Sequence, residues 1–221
     1  MKDIVLKITV ENVEKVIKTT VLKWYYYHKY GDLAPNPNET FYIDPNDINY
    51  SIANKYLPEN APPFGILNGN WDLNKTYWLD SPYWDGLRER FEDGLPWEET
   101  KYYRRCVDKI EAGEPLGVLD DEPTVEKLEE YLDELDNLYL SIKNNGYDYD
   151  CVITISIGRN GEMMVNHGNH RRVIARILDV DSVPVNVRYR HEKWQKKREE
   201  LCTVNNLDHR DHPDINPNRT R

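Results

Sequence analysis

The stretch Val152-Ile-Thr-Ile-Ser-Ile-Gly-Arg-Asn-Gly-Glu-Met-Met-Val-Asn-His-Gly-Asn-His-Arg-Arg-Val-Ile-Ala175 decides the fold. Val152, Ile153, Ile155 and Ile157 form a β-branched run suited to a strand. Asn160-Gly161 is the strongest short hairpin signal in the chain, and Glu162-Met-Met-Val165 supplies the returning strand. Asn166-His-Gly-Asn169 ends that pattern and leads into a helix from Asn169 to about Leu178, after which Val183-Pro-Val-Asn-Val-Arg-Tyr-Arg190 reads as a further strand. Strand, hairpin, strand, helix and strand make a small mixed sheet with packed helices, an α/β (α+β) fold.

Moving outward toward the N-terminus, Thr124 is an N-cap for a periodic helix with Leu128, Leu132, Leu135, Leu138 and Ile142 on one face and Gly146 as its stop. Glu98 to Ile110 is also helical, ending at Gly113. Residues 53–100 are punctuated by prolines and glycines yet hold four of the six tryptophans, Trp71, Trp78, Trp84 and Trp97. Disordered segments are poor in aromatics, so this is an irregular, aromatic-anchored segment with a short helix near 82–92. Phe41 to Tyr50 reads as a short strand, a turn at Asp44-Pro45 and a second extended piece. A helix over about 11–29 follows from the spacing of Val13, Val16, Ile17, Val21 and Trp24; the run Trp24-Tyr-Tyr-Tyr-His-Lys-Tyr30 could stack nucleobases, but one face of a packed helix is the simpler reading. Gly31 to Glu39 breaks it with two prolines. Downstream, His191 to about Cys202 is a charged helix followed by a loosely held tail. The expected organisation is an N-terminal helical extension over 1–40, a domain over 41–190 with an insertion at about 53–123, and a C-terminal helix and tail over 191–221.

With 39 acidic and 29 basic residues among 221, the chain carries a net charge of −10. That sign opposes a protein that coats nucleic acid, which needs a basic surface. No run approaches the roughly 20 apolar residues of a membrane span, and no membrane partner is expected. Cys106, Cys151 and Cys202 are dispersed without a CxxC pair, which reads as reduced thiols. The opening MKDIVLKITVENVEKV interrupts every apolar run with charge and so lacks a signal-peptide core; a cytoplasmic location is expected. The acidity is uneven: residues 1–150 carry a net −14 and residues 151–201 a net +4. A basic module after an acidic one fits either solvated faces that differ or a local pocket for a small anion.

The order of elements across 125–190 resembles the ParB/sulfiredoxin-like superfamily, specifically its ParB N-terminal-type domain. The likeness rests on Leu138-Tyr-Leu-Ser-Ile-Lys-Asn-Asn-Gly146 as the helix with its glycine stop, Ile155 to Val165 as the hairpin, Gly168-Asn-His-Arg-Arg-Val-Ile-Ala175 as the phosphate-binding turn, and Val183-Pro-Val-Asn-Val187 as the following strand. Tyr42-Ile-Asp-Pro-Asn-Asp-Ile48 is similar to the opening strand. The resemblance covers about 41–190 and is weak between 50 and 125. It implies contact between the turn and nucleotide phosphates, with a nucleoside triphosphate and Mg2+ as the ligand class, and carries over to Gly168, Asn169, His170, Arg171 and Arg172. The chain also departs from the family. Asn169 stands where sulfiredoxins have their catalytic cysteine, so sulfinic-acid repair is disfavoured. The Glu-Asn-x-x-Arg motif and helix-turn-helix of ParB proteins are not found, which disfavours a DNA clamp.

Physical chemistry supports the turn separately. A glycine permits close approach of the backbone to a ligand, and the first N–H groups of a helix are unpaired and partially positive. Cations at 170–172 are poorly placed against the helix dipole unless an anion sits among them; the alternative is that Arg171 and Arg172 pair with carboxylates of the acidic portion. His167 with His170, and His209 with His212, are too few ligands for a metal site, and none is expected. Asp148, Asp150 and Glu162 are carboxylates near the turn in sequence, without a sign of which would act as a base. The expected function is a nucleotide- or phosphate-ligand-binding protein, with hydrolysis or phosphoryl transfer left open. The alternatives are a non-catalytic interaction protein, using the insertion or a homo-oligomer contact, and a nucleic-acid-processing protein.

Overall fold

A computed structural model describes residues 2–119, 122–203 and 212–215. Its centre is a seven-stranded mixed sheet. The hairpin of β5 (Ile153–Ile157) and β6 (Met163–His167) lies beside β7 (Val183–His191), in the order β1-β7-β5-β6-β2-β4. β1 (Phe41–Ile43) runs antiparallel to the start of β7, and β3 (Gly65–Leu67) runs parallel to its end. β2 (Tyr50–Ser51) is parallel to β6, and β4 (Thr76–Tyr77) closes the far edge. The residues read as an insertion thus contribute β3 and β4 to the same sheet as the β5–β6 hairpin.

The hairpin forms as expected but turns differently. Gly161 N–H donates to Gly158 O and Gly158 N–H to Glu162 O, so Arg159 and Asn160 form the turn and Gly161, at φ +94°, takes the left-handed position after it. Asn160-Gly161 is therefore not the central pair of a two-residue loop. A Cβ on Gly161 would lie 2.7 Å from the Trp194 ring, so glycine also admits that tryptophan.

The described residues form six α-helices. α2 (Pro82–Phe91) and α3 (Lys101–Glu111) pack closely because Gly86 faces Tyr102 Cβ without a side chain of its own. Thr100 caps α3 through Tyr103 N–H. α4 (Val125–Asn145) has the expected Thr124 cap, at Lys127 N–H, and the Gly146 stop. Its buried Leu128, Leu132, Leu135 and Ile142 join Ile153, Ile155, Ile157, Val173, Ile174, Val185 and Val187 in the main core. α5 (Asn169–Ile177) connects β6 to β7, and α6 (Glu192–Thr203) follows β7. Trp71, Trp78 and Trp97 of the irregular segment are buried, as its aromatic content predicts.

Two readings are corrected at the ends of the chain. α1 runs over Lys2–Tyr30, and its aromatic run is not a packed face: Tyr26 is buried, with its hydroxyl accepting from Ile66 N–H, but Trp24, Tyr25 and Tyr27 are exposed. The C-terminal stretch is not loose where it is described. Asp214, 5% exposed, sits between Arg190 and Arg198 and accepts from Trp194 Nε1. An apolar periodicity marks a helix and not which side is covered; a buried ion pair leaves no periodicity at all.

Candidate anion-binding site

The site is assembled at the N-terminus of α5. Gly168 caps the helix at φ +89°, a left-handed conformation, and a Cβ there would meet Ile153 at 3.3 Å. No side chain caps the helix. Its first internal bond is Arg172 N–H to Gly168 O, so the N–H groups of Asn169, His170 and Arg171 have no partner within the helix.

The five residues of the turn do different things. Asn169 Oδ1 accepts from Arg172 Nη2 at 2.7 Å. His170 faces the helical layer: its Nε2 is 3.1 Å from the Tyr131 hydroxyl, and its ring lies against Tyr83 and Tyr131. Burial, then the neighbouring charges of Arg171 and His167, hold the His170 pKa below the ordinary histidine value, so it is neutral at pH 7. Arg171 lies beside Tyr147 and Cys151. Burial pushes the Tyr147 phenol up to about 12 against the pull of Arg171, and the Asp148 carboxylate, with burial, raises the Cys151 thiol against the same arginine.

Arg172 is 1% exposed. Its Nη1 donates to Ile48 O at 2.6 Å, while its Nε has no partner. One turn later, Arg176 lies over the Trp78 ring at 3.6 Å, and the Arg172 guanidinium is 5.1 Å from the same ring. Arg176 Nη1 and Trp78 Nε1 are also buried without partners. Burial and the proximity of Arg176 push the Arg172 pKa down to about 9; burial also lowers that of Arg176, against the opposing fields of Asp44, Tyr77 and Asp47.

Ion pairing, the plainer explanation for this turn, is not found among the described residues. Arg88, Arg90, Arg159, Arg190 and Arg198 each hold a carboxylate. Among the described residues, no carboxylate stands within ion-pair distance of Arg171, Arg172 or Arg176. Desolvating a guanidinium without a counter-charge costs several kcal/mol by order of magnitude, so the cluster fits an external anion. Such an anion would meet the three N–H groups and Arg171, with Arg172 behind them bracing the turn to Ile48.

Of the other candidates, Glu162 is tied to Lys75 at 3.1 Å and to Asn160 at the hairpin end of β6, at the opposite end of the strand from Gly168. Asp148 is near Cys151 and so shares surroundings with Arg171; its Oδ1 accepts from Asp150 N–H. His212 accepts a backbone bond from Asp214 at Nδ1, and its Nε2 is 2.9 Å from Gly161 O; His209 lies outside the described residues. No group of three or more residues able to hold a metal ion gathers among the described residues. Trp78, Arg176 and Tyr131 complete the surroundings of the turn. The i, i+4 spacing of Arg172 and Arg176 could have revealed the second arginine, but Trp78, 98 residues before it, left no sequence signal.

Comparison of the chain with protein-family models, curated proteins and solved structures gives no match.

Proposed function

We propose that the first turn of α5 binds the phosphate of a small phosphorylated ligand, and that the ligand is a nucleoside triphosphate with Mg2+, the class implied by the resemblance to ParB/sulfiredoxin-like domains. The observation that carries this reading is the set of three arginines on one nine-residue helix, none paired with a described carboxylate, beside three unpaired N–H groups at its start. Backbone N–H groups and the helix dipole hold the anion, and Arg171 supplies a charge-assisted bond. Asn169 and His170 keep the turn in shape through Arg172 and Tyr131.

The alternative of partner binding through the insertion has less to stand on, because Trp71, Trp78 and Trp97 face inward and β3 and β4 belong to the sheet.

Calorimetric titration with CTP, ATP, ADP and GTP in the presence of Mg2+ tests the proposal, with inorganic phosphate release followed in the same samples. Arg171→Ala is expected to weaken binding roughly tenfold to a hundredfold, the equivalent of a charged hydrogen bond worth about 1.5–3 kcal/mol. No heat at millimolar nucleotide, or unchanged affinity in Arg171→Ala, ends this reading. Phosphate release decides between a binding protein and a hydrolase.

A further inference from the structure

Among the described residues, α1 meets the body near its end, where Tyr26 packs on Phe64 and bonds to Ile66. The rest of its described surface carries an apolar stripe open to solvent: Val13 (52% exposed), Val16 (64%), Ile17 (56%), Val21 (58%), Trp24 (64%) and Tyr27 (62%). At 100° per residue these positions fall within one arc well away from the Tyr26 edge, while Lys15, Lys18 and Lys29 lie outside it. Applying the exposed fractions to ordinary side-chain areas leaves on the order of 500 Å2 of apolar surface, the size of the largest patch a monomer usually tolerates.

From this stripe we infer that α1 pairs with α1 of a second copy of the chain, antiparallel, to form a homodimer. The spacing is self-matching: Val13, Val16, Ile17, Thr20, Val21 and Trp24 are symmetric about the middle of the segment. Running one helix against another in reverse sets Val13 opposite Trp24, Val16 opposite Val21 and Ile17 opposite Thr20. Val13 then faces the larger Trp24 and Thr20 the larger Ile17, with Val16 against Val21 between them, a set of contacts that can fill a helix–helix seam. A parallel pair would instead set Trp24 against Trp24 and Thr20 against Thr20. Full burial of the stripe on both copies removes at most about 1,000 Å2, the lower bound for a specific interface.

Charge sets the same direction. Residues 2–30 hold six lysines and three acids, which leaves a net −13 on the remainder of the chain. A parallel pair would place two such bodies side by side within a Debye length of about 8–10 Å. The antiparallel pair draws them apart: with the seam centred between Lys18 and Thr19, the two Tyr26 anchors lie 15 residues, about 22 Å, apart along the axis.

Light scattering after size-exclusion chromatography of the full chain at about 100 µM tests the inference independently of nucleotide binding. The expected mass is twice the 26.2 kDa of one chain, falling to one chain in Ile17→Glu/Trp24→Glu and, separately, in Val16→Lys/Val21→Lys. Far-UV circular dichroism and nucleotide titration report whether each variant stays folded. A wild-type mass of one chain, or a dimer that both charged variants leave intact, overturns the proposal. So does a monomer that binds vesicles of anionic lipid through the same residues, which would assign the stripe to a membrane surface.

Discussion

Replacing Asp214 with alanine tests whether the C-terminal stretch is structural. One carboxylate serves two guanidiniums: Arg190 donates through Nε at 3.0 Å and also through Nη2, and Arg198 Nε stands 3.0 Å away, with Trp194 Nε1 donating at 2.8 Å. Arg190, Trp194 and Asp214 are all nearly or fully buried. Asp214→Ala removes the carboxylate that Arg190 and Arg198 share, and removing one partner of a buried pair costs about 3–5 kcal/mol. At about 2–4 °C per kcal/mol for a domain of this size, the midpoint of thermal unfolding should fall by roughly 6–20 °C, read by differential scanning calorimetry. The effect should also depend on pH. Burial pushes the Asp214 carboxyl up, but Arg190 and Arg198 outweigh it and hold it below the ordinary carboxylate range. A depressed carboxylate stabilises fully above its unfolded pKa of about 4 and loses that contribution as the pH falls through the folded value. The gap between wild type and variant should be complete at pH 7 and narrow progressively below pH 4. A drop under about 3 °C at pH 7, or a gap that widens on acidification, would refute the reasoning.

Gly168→Ala forces an alanine into a left-handed conformation, at about 1–2 kcal/mol, and sets its Cβ 3.3 Å from Ile153; nucleotide titration should show the site lost while urea unfolding shows a modest loss of stability, and wild-type affinity would contradict the turn geometry. Trp78→Ala removes a buried ring that carries both Arg172 and Arg176, and is expected to cost about 3–5 kcal/mol in urea unfolding; a loss below about 1 kcal/mol would mean that the arginines do not depend on the ring. Arg171→Ala should raise the His170 pKa toward the ordinary histidine value, since Arg171 is one of the charges holding it down; a ring titration followed by NMR that stays put, or moves lower, contradicts the assignment.

The parts of this fold that follow chain-local rules are the parts the sequence makes plain. The Thr124 cap, the Gly146 stop, the β5–β6 hairpin and the helix after Gly168 all depend on residues within a few positions of one another. What depends on distant partners is hidden. β3 and β4 are three and two residues long and exist because β7 and β2 offer edges to them. Within the site, the start of a helix after Gly168 is readable in the sequence, and α5 begins at Asn169 with its first N–H groups there. The distribution of tasks was not readable: whether a cation points at a ligand or into the core depends on Tyr131, Ile48 and Trp78, which come from other elements. His170 therefore became a neutral bracing group, and Arg172 a buried one.

The placement of charge gives the anion reading its strongest physical footing. Acids outnumber bases in this chain by 39 to 29, so a helix bearing three arginines has no shortage of carboxylates with which to pair, and five other arginines find them. Asp44 and Asp47 are near enough for their fields to act on Arg176, yet neither comes within ion-pair distance. Burial raises the Asp47 carboxyl, with Asp44 adding to the shift and Arg176 opposing it, so that acid is itself imperfectly compensated. A fold that leaves two buried guanidinium nitrogens and an indole N–H unpaired around one ring, in an acid-rich protein, retains a local deficit of negative charge. On the proposed reading, a phosphate at the first turn of α5 would meet Arg171 directly and lower the cost of the buried Arg172 charge behind it. Its binding should therefore stabilise the folded chain as well as occupy the site.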